Sequence, residues 1–154
     1  MTALIPIRYV DPEQDGAALQ AIAREAARIM VSGEEILYIA AENATAMSIK
    51  RDSVVVTTNR IIGLSPGVPG RVSFRYHLWQ DVLDVSINEG ILSTQIVVDT
   101  HAGAREVGWI PKEQANRVVG LAQQWSAYAA GSAASCSVAR GGGREIRRRE
   151  PPRV

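Results

Sequence analysis

Ser53-Val54-Val55-Val56-Thr57-Thr58-Asn59-Arg60-Ile61-Ile62-Gly63-Leu64, near the middle of the chain, carries the clearest structural signal in the sequence. A run of β-branched residues meets a polar turn at Thr58-Asn59-Arg60, and a second apolar run answers it. Val, Ile and Thr stack well on a pleated sheet, and Asn tolerates the left-handed backbone that a tight turn demands. The stretch predicts a β-hairpin with Asn59 as its left-handed residue.

Downstream, the chain keeps proposing short strands. Ser65-Pro66-Gly67-Val68-Pro69-Gly70 is a loop by composition, since two Pro and two Gly defeat both helix and ladder. Arg71–Tyr76 alternates polar and apolar, as a half-buried strand does. A turn at Trp79-Gln80-Asp81 leads to a strand over Val82–Ile87. Thr94–Asp99 and Arg105–Ile110 flank a hairpin loop at His101-Ala102-Gly103-Ala104. Upstream, Ile36–Ala41 reads as the first strand and Ala46–Lys50 as extended chain. About seven strands result, at the spacing of a sandwich or small barrel.

Helices bracket this region. Asp11-Pro12-Glu13-Gln14 predicts a helix start, with Asp11 as cap, Pro12 at the first position and Gln14 completing a capping box. Leu19, Ile22, Ala23, Ala26, Ile29 and Met30 then make one apolar stripe, and Ser32-Gly33 ends it. The stripe is shallow and suits a surface, either of this chain or of another subunit. A second helix starts at Pro111-Lys112-Glu113, with Ala115, Val118, Ala122, Trp125 and Ala129 on one face and Trp125 as its anchor.

Composition bounds the rest. A chain of 154 residues, 46% apolar, holds one domain with a real core. The net charge of +1 selects no partner, but from Arg140 onward six Arg face two Glu, a local +4 that leaves the first 139 residues at −3. The organisation read from this is an N-terminal segment and helix over residues 1–33, a domain over 34–129 and a disordered Arg/Gly-rich tail over 130–154, where too little apolar surface remains to offset the entropy of ordering. One cysteine, Cys136, suits a reducing cytosol, no apolar run approaches a membrane span, and the N-terminus lacks a signal-peptide pattern. A cytoplasmic protein is expected.

The residues that bear chemistry argue against an enzyme. His77, His101 and Cys136 have no second ligand at metal spacing, and no Gly-x-Ser-x-Gly elbow is present. Gly141-Gly142-Gly143 is no phosphate loop, with no strand before it and no helix after. No cofactor and no metal are expected. Trp79, Trp109 and Trp125 lack the basic strand face that base stacking needs, so core packing is expected of all three and a specific nucleic-acid site is not. Arg60, just after the turn, is expected to pin the hairpin through its guanidinium rather than to touch a ligand.

Gly33-Glu34-Glu35-Ile36, Val56-Thr57-Thr58-Asn59-Arg60-Ile61-Ile62, Trp79-Gln80-Asp81-Val82 and the closing helix together resemble the bacterial pleckstrin-homology-like domains of the YokE-like kind, over roughly residues 33–129. That resemblance implies an α+β fold: a seven-stranded antiparallel β-barrel or sandwich closed by a C-terminal helix, here with an N-terminal helix added. It implies a binding scaffold whose relatives take lipids, peptides or proteins, and whose bacterial members form homo-oligomers. Self-association is therefore expected, through the N-terminal helix stripe and the exposed sheet edges, with another protein as the alternative partner. In lipid-binding relatives, basic residues in the open-end loops hold phosphate. The matching positions here are Lys50, Arg51, Arg71, His101 and Arg105, interleaved with Glu42, Asp52, Asp99 and Glu106. Outside the resemblance, Arg140, Arg144, Arg147, Arg148, Arg149 and Arg153 of the tail could bind polyanions, including an anionic membrane surface at its inner face.

Overall fold

The structure is a computed structural model and describes residues 3–41, 52–67 and 71–138, with side chains through 131. Two sheets and two helices form it. The first sheet has five strands, in order β1 (Ile7–Tyr9), β2 (Ile36–Ala41), β3 (Ser53–Thr57), β4 (Arg60–Pro66) and β5 (Val72–Leu78). The second has three, β6 (Val82–Glu89), β7 (Thr94–Thr100) and β8 (Gly103–Ile110). Helix α1 spans Gly16–Ala27 and α2 spans Lys112–Val138.

The hairpin at the centre of the sequence is β3–β4, with Val56 opposite Ile61 and Ser53 opposite Leu64. Its turn differs in mechanism from the expectation. Among the described residues no non-glycine has a positive φ, so Asn59 is not left-handed. The Thr57 side chain closes the turn instead: its Oγ1 accepts from the backbone N–H of Asn59 at 3.2 Å and of Arg60 at 3.0 Å.

β2, β3 and β4 are buried on both faces, which explains their continuous apolar runs. The inner face, with Ala40, Val54, Val56 and Ile61, meets Ile96, Val98 and Val107 of the second sheet and Val118, Ala122 and Trp125 of α2. A bulge in β2 between Ile36 and Tyr38 turns both Leu37 and Tyr38 toward this core. On the outer face, Ile36, Ile39, Val55, Ile62 and Leu64 lie under Leu19, Ile22, Ala23 and Ala26 of α1. Each fully buried Ile or Leu contributes about 1.5–3 kcal/mol of transfer free energy.

Several expectations need correction. The sheet does not close into a barrel. The chain turns the corner from β5 to β6 through a 3-10 turn at Trp79–Asp81 with no ladder across it. At the opposite seam β8 lies against β3 and β4 by contact rather than by pairing. Gly63 makes that contact possible, because a Cβ there would fall on the Val107 carbonyl oxygen. The described strands number eight, since the N-terminal segment contributes β1, parallel to β2. Helix α1 starts at Gly16, capped by the Asp15 carboxylate, because Asp11 is turned inward. Gln14 nevertheless accepts from the Asp11 backbone N–H at 3.0 Å, as a capping-box partner would, and donates to the Ile39 carbonyl at 2.8 Å. Gly33 is left-handed, with φ 83°, in a turn six residues past the end of α1. Residues 130–138, read from the sequence as the start of a disordered tail, continue α2, for which their alanines are well suited. Lastly, the stripe expected to face another subunit covers this chain's own sheet.

Asp11 ties the N-terminal segment to both other layers. It accepts from the Tyr38 hydroxyl at 2.6 Å and pairs with Arg117 of α2. Burial, and then donation to Asp11, pushes the Tyr38 phenol well above the usual tyrosine range.

Candidate functional site

Glu34, Thr57 and Arg60 come from two segments that the turn brings together. The Arg60 Nε–H donates to Glu34 Oε1 at 3.0 Å, with the side chains 8% and 0% exposed. The other Glu34 oxygen accepts from the Val31 backbone N–H at 2.9 Å, and the Thr57 hydroxyl donates to Oε1. The Arg60 guanidinium lies over the Tyr76 ring at 5.0 Å. Trp79 completes the knot, its indole N–H donating to the Thr57 carbonyl at 2.9 Å. The Arg60 Nε–H and the stacked guanidinium face thus serve the hairpin.

Beside this knot lies a half-open cavity of about 350 Å³. Ile5, Pro6, Ile7, Met30 and Ile36 line it together with Glu34. An ion pair of Arg8 with Glu35, both partly exposed, stands at its rim. Nothing in the sequence pattern points to the cavity.

The expected phosphate-binding residues are dispersed. Arg71 immediately precedes β5 and is exposed; His101 and Arg105 belong to the β7–β8 hairpin. Arg105 is partly spent on that hairpin, donating to the Ala102 carbonyl at 3.3 Å and the Ala104 carbonyl at 3.5 Å. It also stands near His77 at the far end of β5, about 20 Å of strand from Arg71. Lys50 and Arg51 lie outside the described residues, as do Glu42 and the tail arginines Arg140, Arg144, Arg147, Arg148, Arg149 and Arg153. Arg75 and His77 extend the basic side of β5, which the loop-by-loop reading missed. Arg75 reaches Ser65 Oγ at 3.3 Å and the Glu106 carbonyl at 3.5 Å. Burial first, then the Arg105 charge, lowers the His77 pKa against the pull of Asp81.

At the opposite end of β2 from the cavity is the β6–β7 hairpin tip, where Ile91 and Leu92 are 101% and 94% exposed. Gly90 bonds across the tip to the Ser93 carbonyl at 2.9 Å and packs on the Trp109 ring. Trp79 and Trp125 are core residues as expected. Trp109 is not: it is 42% exposed beside the tip, its backbone N–H held by Asp52 Oδ2 at 3.1 Å. Glu89 and Lys112 pair at 3.3 Å on the flank. Among the described residues no group of His, Cys, Asp and Glu is arranged to hold a metal ion, and no helix is long and apolar enough to cross a membrane.

A family described as "Bacterial PH domain" matches residues 30–124. Two solved structures are similar at the level of the chain trace. A pleckstrin-homology domain from Shewanella amazonensis shares 19% identity, with 71% of this chain and 96% of that one covered at a TM-score of 0.44. A DUF1696 family protein with a pleckstrin-homology domain from Shewanella loihica shares 17% identity, with 58% and 81% covered at a TM-score of 0.40. No curated protein matches.

Proposed function

The chain belongs to the bacterial PH domain family, and from that premise we propose that it is a non-catalytic cytoplasmic scaffold that assembles with copies of itself. Domains of this type are binding modules for proteins or lipids. The observation that carries the reading is the pair Ile91 and Leu92. Two adjacent aliphatic side chains held fully in water on a rigid hairpin are the mark of a surface that a partner covers. Among the described residues β5 and β6 are edge strands, which adds unpaired backbone groups to the surface. Size-exclusion chromatography with multi-angle light scattering on the full chain tests this. A mass several times 16.6 kDa is expected, and a monomer at high micromolar concentration would overturn it.

A second reading, a peripheral module for anionic headgroups, is favoured by one feature. Arg71, Arg75 and Arg105 place basic groups along β5 and the start of β8, to which Lys50, Arg51 and the tail would add. Sedimentation with phosphatidylserine vesicles at two salt concentrations tests it, using the full chain and a truncation after Val138. Salt-sensitive binding lost on truncation would assign the tail. No binding by either form removes the membrane reading.

A further inference from the structure

We propose that the Ile91-Leu92 hairpin tip of one copy docks into the cavity beside β1 of a second copy. This inference rests on the self-association reading above and names its contact surfaces.

The tip and the cavity are complementary in three respects. Chemistry comes first: the tip presents the aliphatic Ile91 and Leu92, and the cavity lining is mostly apolar, with Ile5, Pro6, Ile7, Met30 and Ile36 beside Arg8, Glu34 and Glu35. Size is the second. The eight carbons of an Ile and a Leu side chain, each given roughly the 30 Å³ of a water molecule, occupy on the order of 240 Å³, which fits a cavity of about 350 Å³. Charge is the third. Glu89 and Lys112 flank the tip as an exposed pair of opposite sign, and Arg8 and Glu35 flank the cavity as another. Docking brings the two pairs together, so Lys112 can face Glu35 and Glu89 can face Arg8 without leaving a charge unpaired.

A chain cannot fill its own cavity. The cavity opens at the Ile36 end of β2, whereas the tip sits by Trp109 and Asp52 at the Ala41 end, five residues or about 17 Å along the strand. Unless two copies exchange tips reciprocally about a two-fold axis, contact between two different patches is heterologous, and every open assembly retains one free tip and one free cavity. Assembly then continues until the rotation closes a ring or extends as a filament. A bilayer is the weaker occupant for the tip, because among the described residues Asp52 and Glu89 stand on its flank with Lys112 as their counterpart.

The test uses the full chain in three forms: wild type, a tip variant (Ile91→Asp with Leu92→Asp) and a cavity variant (Pro6→Asp). Pro6 and both tip residues are exposed, so folding should survive, as circular dichroism and Tm would verify. Each variant alone should be monomeric by light scattering, with association weakened at least about tenfold per substitution. Mixed together they should form a dimer and nothing larger, since only one intact tip and one intact cavity remain. A tip variant that keeps the wild-type mass, or a mixture that stays monomeric, overturns this contact while leaving self-association standing. A monomeric wild type overturns both, and vesicle binding lost in the tip variant would then give the tip to a membrane. Should the aspartates disturb folding, Ile91→Ser with Leu92→Ser reads the same direction.

Discussion

Arg60 holds a carboxylate that has no exposed surface of its own, so its removal leaves Glu34 buried without a cation. Arg60→Ala should cost about 3–5 kcal/mol in urea unfolding, most of it the penalty of that stranded charge. Arg60→Lys should recover only part, because an ammonium cannot both meet the carboxylate at the guanidinium's angle and stack on Tyr76. A loss under 1 kcal/mol for Arg60→Ala would mean that Glu34 finds other partners. At Tyr38 the phenol is protected by burial and by Asp11. Its ionisation should therefore be absent from ultraviolet titration of the native protein to pH 11, so wild type and Tyr38→Phe should give equal phenolate signals there. An extra phenolate in wild type would contradict the burial. His77 offers an acid-side test. Its folded pKa lies below the unfolded value of 6.5, so the unfolded chain binds more protons in the window between the two. Stability is fully present above that window and falls as the pH drops through it. His77→Gln should flatten the dependence of Tm between pH 7 and pH 5, and an unchanged slope would exclude His77 as its source.

At the scale of elements, the seam between the sheets turns on two glycines with different clearances. A Cβ at Gly63 meets the Val107 backbone, which cannot yield, whereas one at Gly108 meets Asp52 and Val54 side-chain atoms at 3.3 and 3.4 Å. Gly63→Ala should part β4 from β8 and abolish cooperative thermal unfolding, and Gly108→Ala should keep a Tm within about 5 °C of wild type. Equal effects would show that the seam relaxes freely. The same seam marks how far the sequence could be read. Strands β2 to β8 were legible because Val54-Val55-Val56, Ile61-Ile62 and the alternation from Val72 carry a period that local sterics enforce. The corner at Trp79-Gln80-Asp81 was legible from its polar turn residues. β1 was not, for Ile7–Tyr9 is too short to show a period and pairs with a strand 29 residues away. Asp11 was misassigned because a helix-capping pattern and an inward hydrogen bond to Tyr38 use the same residue. The candidate site suffered most. The walls of the cavity beside β1 come from three separate segments, Ile5–Arg8, Met30 and Glu34–Ile36, which no single window joins. Ile91-Leu92 stood in plain view, but exposure is decided by the tip's distance from both cores, which no window of residues reveals.

For the whole molecule, the outer layer changes what counts as the domain. The family match begins at residue 30 and leaves out α1, yet Leu19, Ile22, Ala23 and Ala26 cover the outer face of the first sheet. A fragment beginning at Glu34 would open Ile36, Ile39, Val55, Ile62 and Leu64 to water. It should aggregate or bind a hydrophobic dye strongly, and a soluble, dye-silent fragment would show that α1 is dispensable. The link from Asp11 to Arg117 reaches 106 residues along the chain, and Gln114 bonds the Ala41 backbone N–H across 73. Both wait on α2. During synthesis, at about 5–20 residues per second, everything before β8 must spend several seconds with its N-terminal anchor unmet and its main core uncapped. Helix α2, made after every described strand, is thus the one that locks the N-terminal segment in place, and a ribosome stalled before residue 117 would hold a chain that has these strands but not their packing.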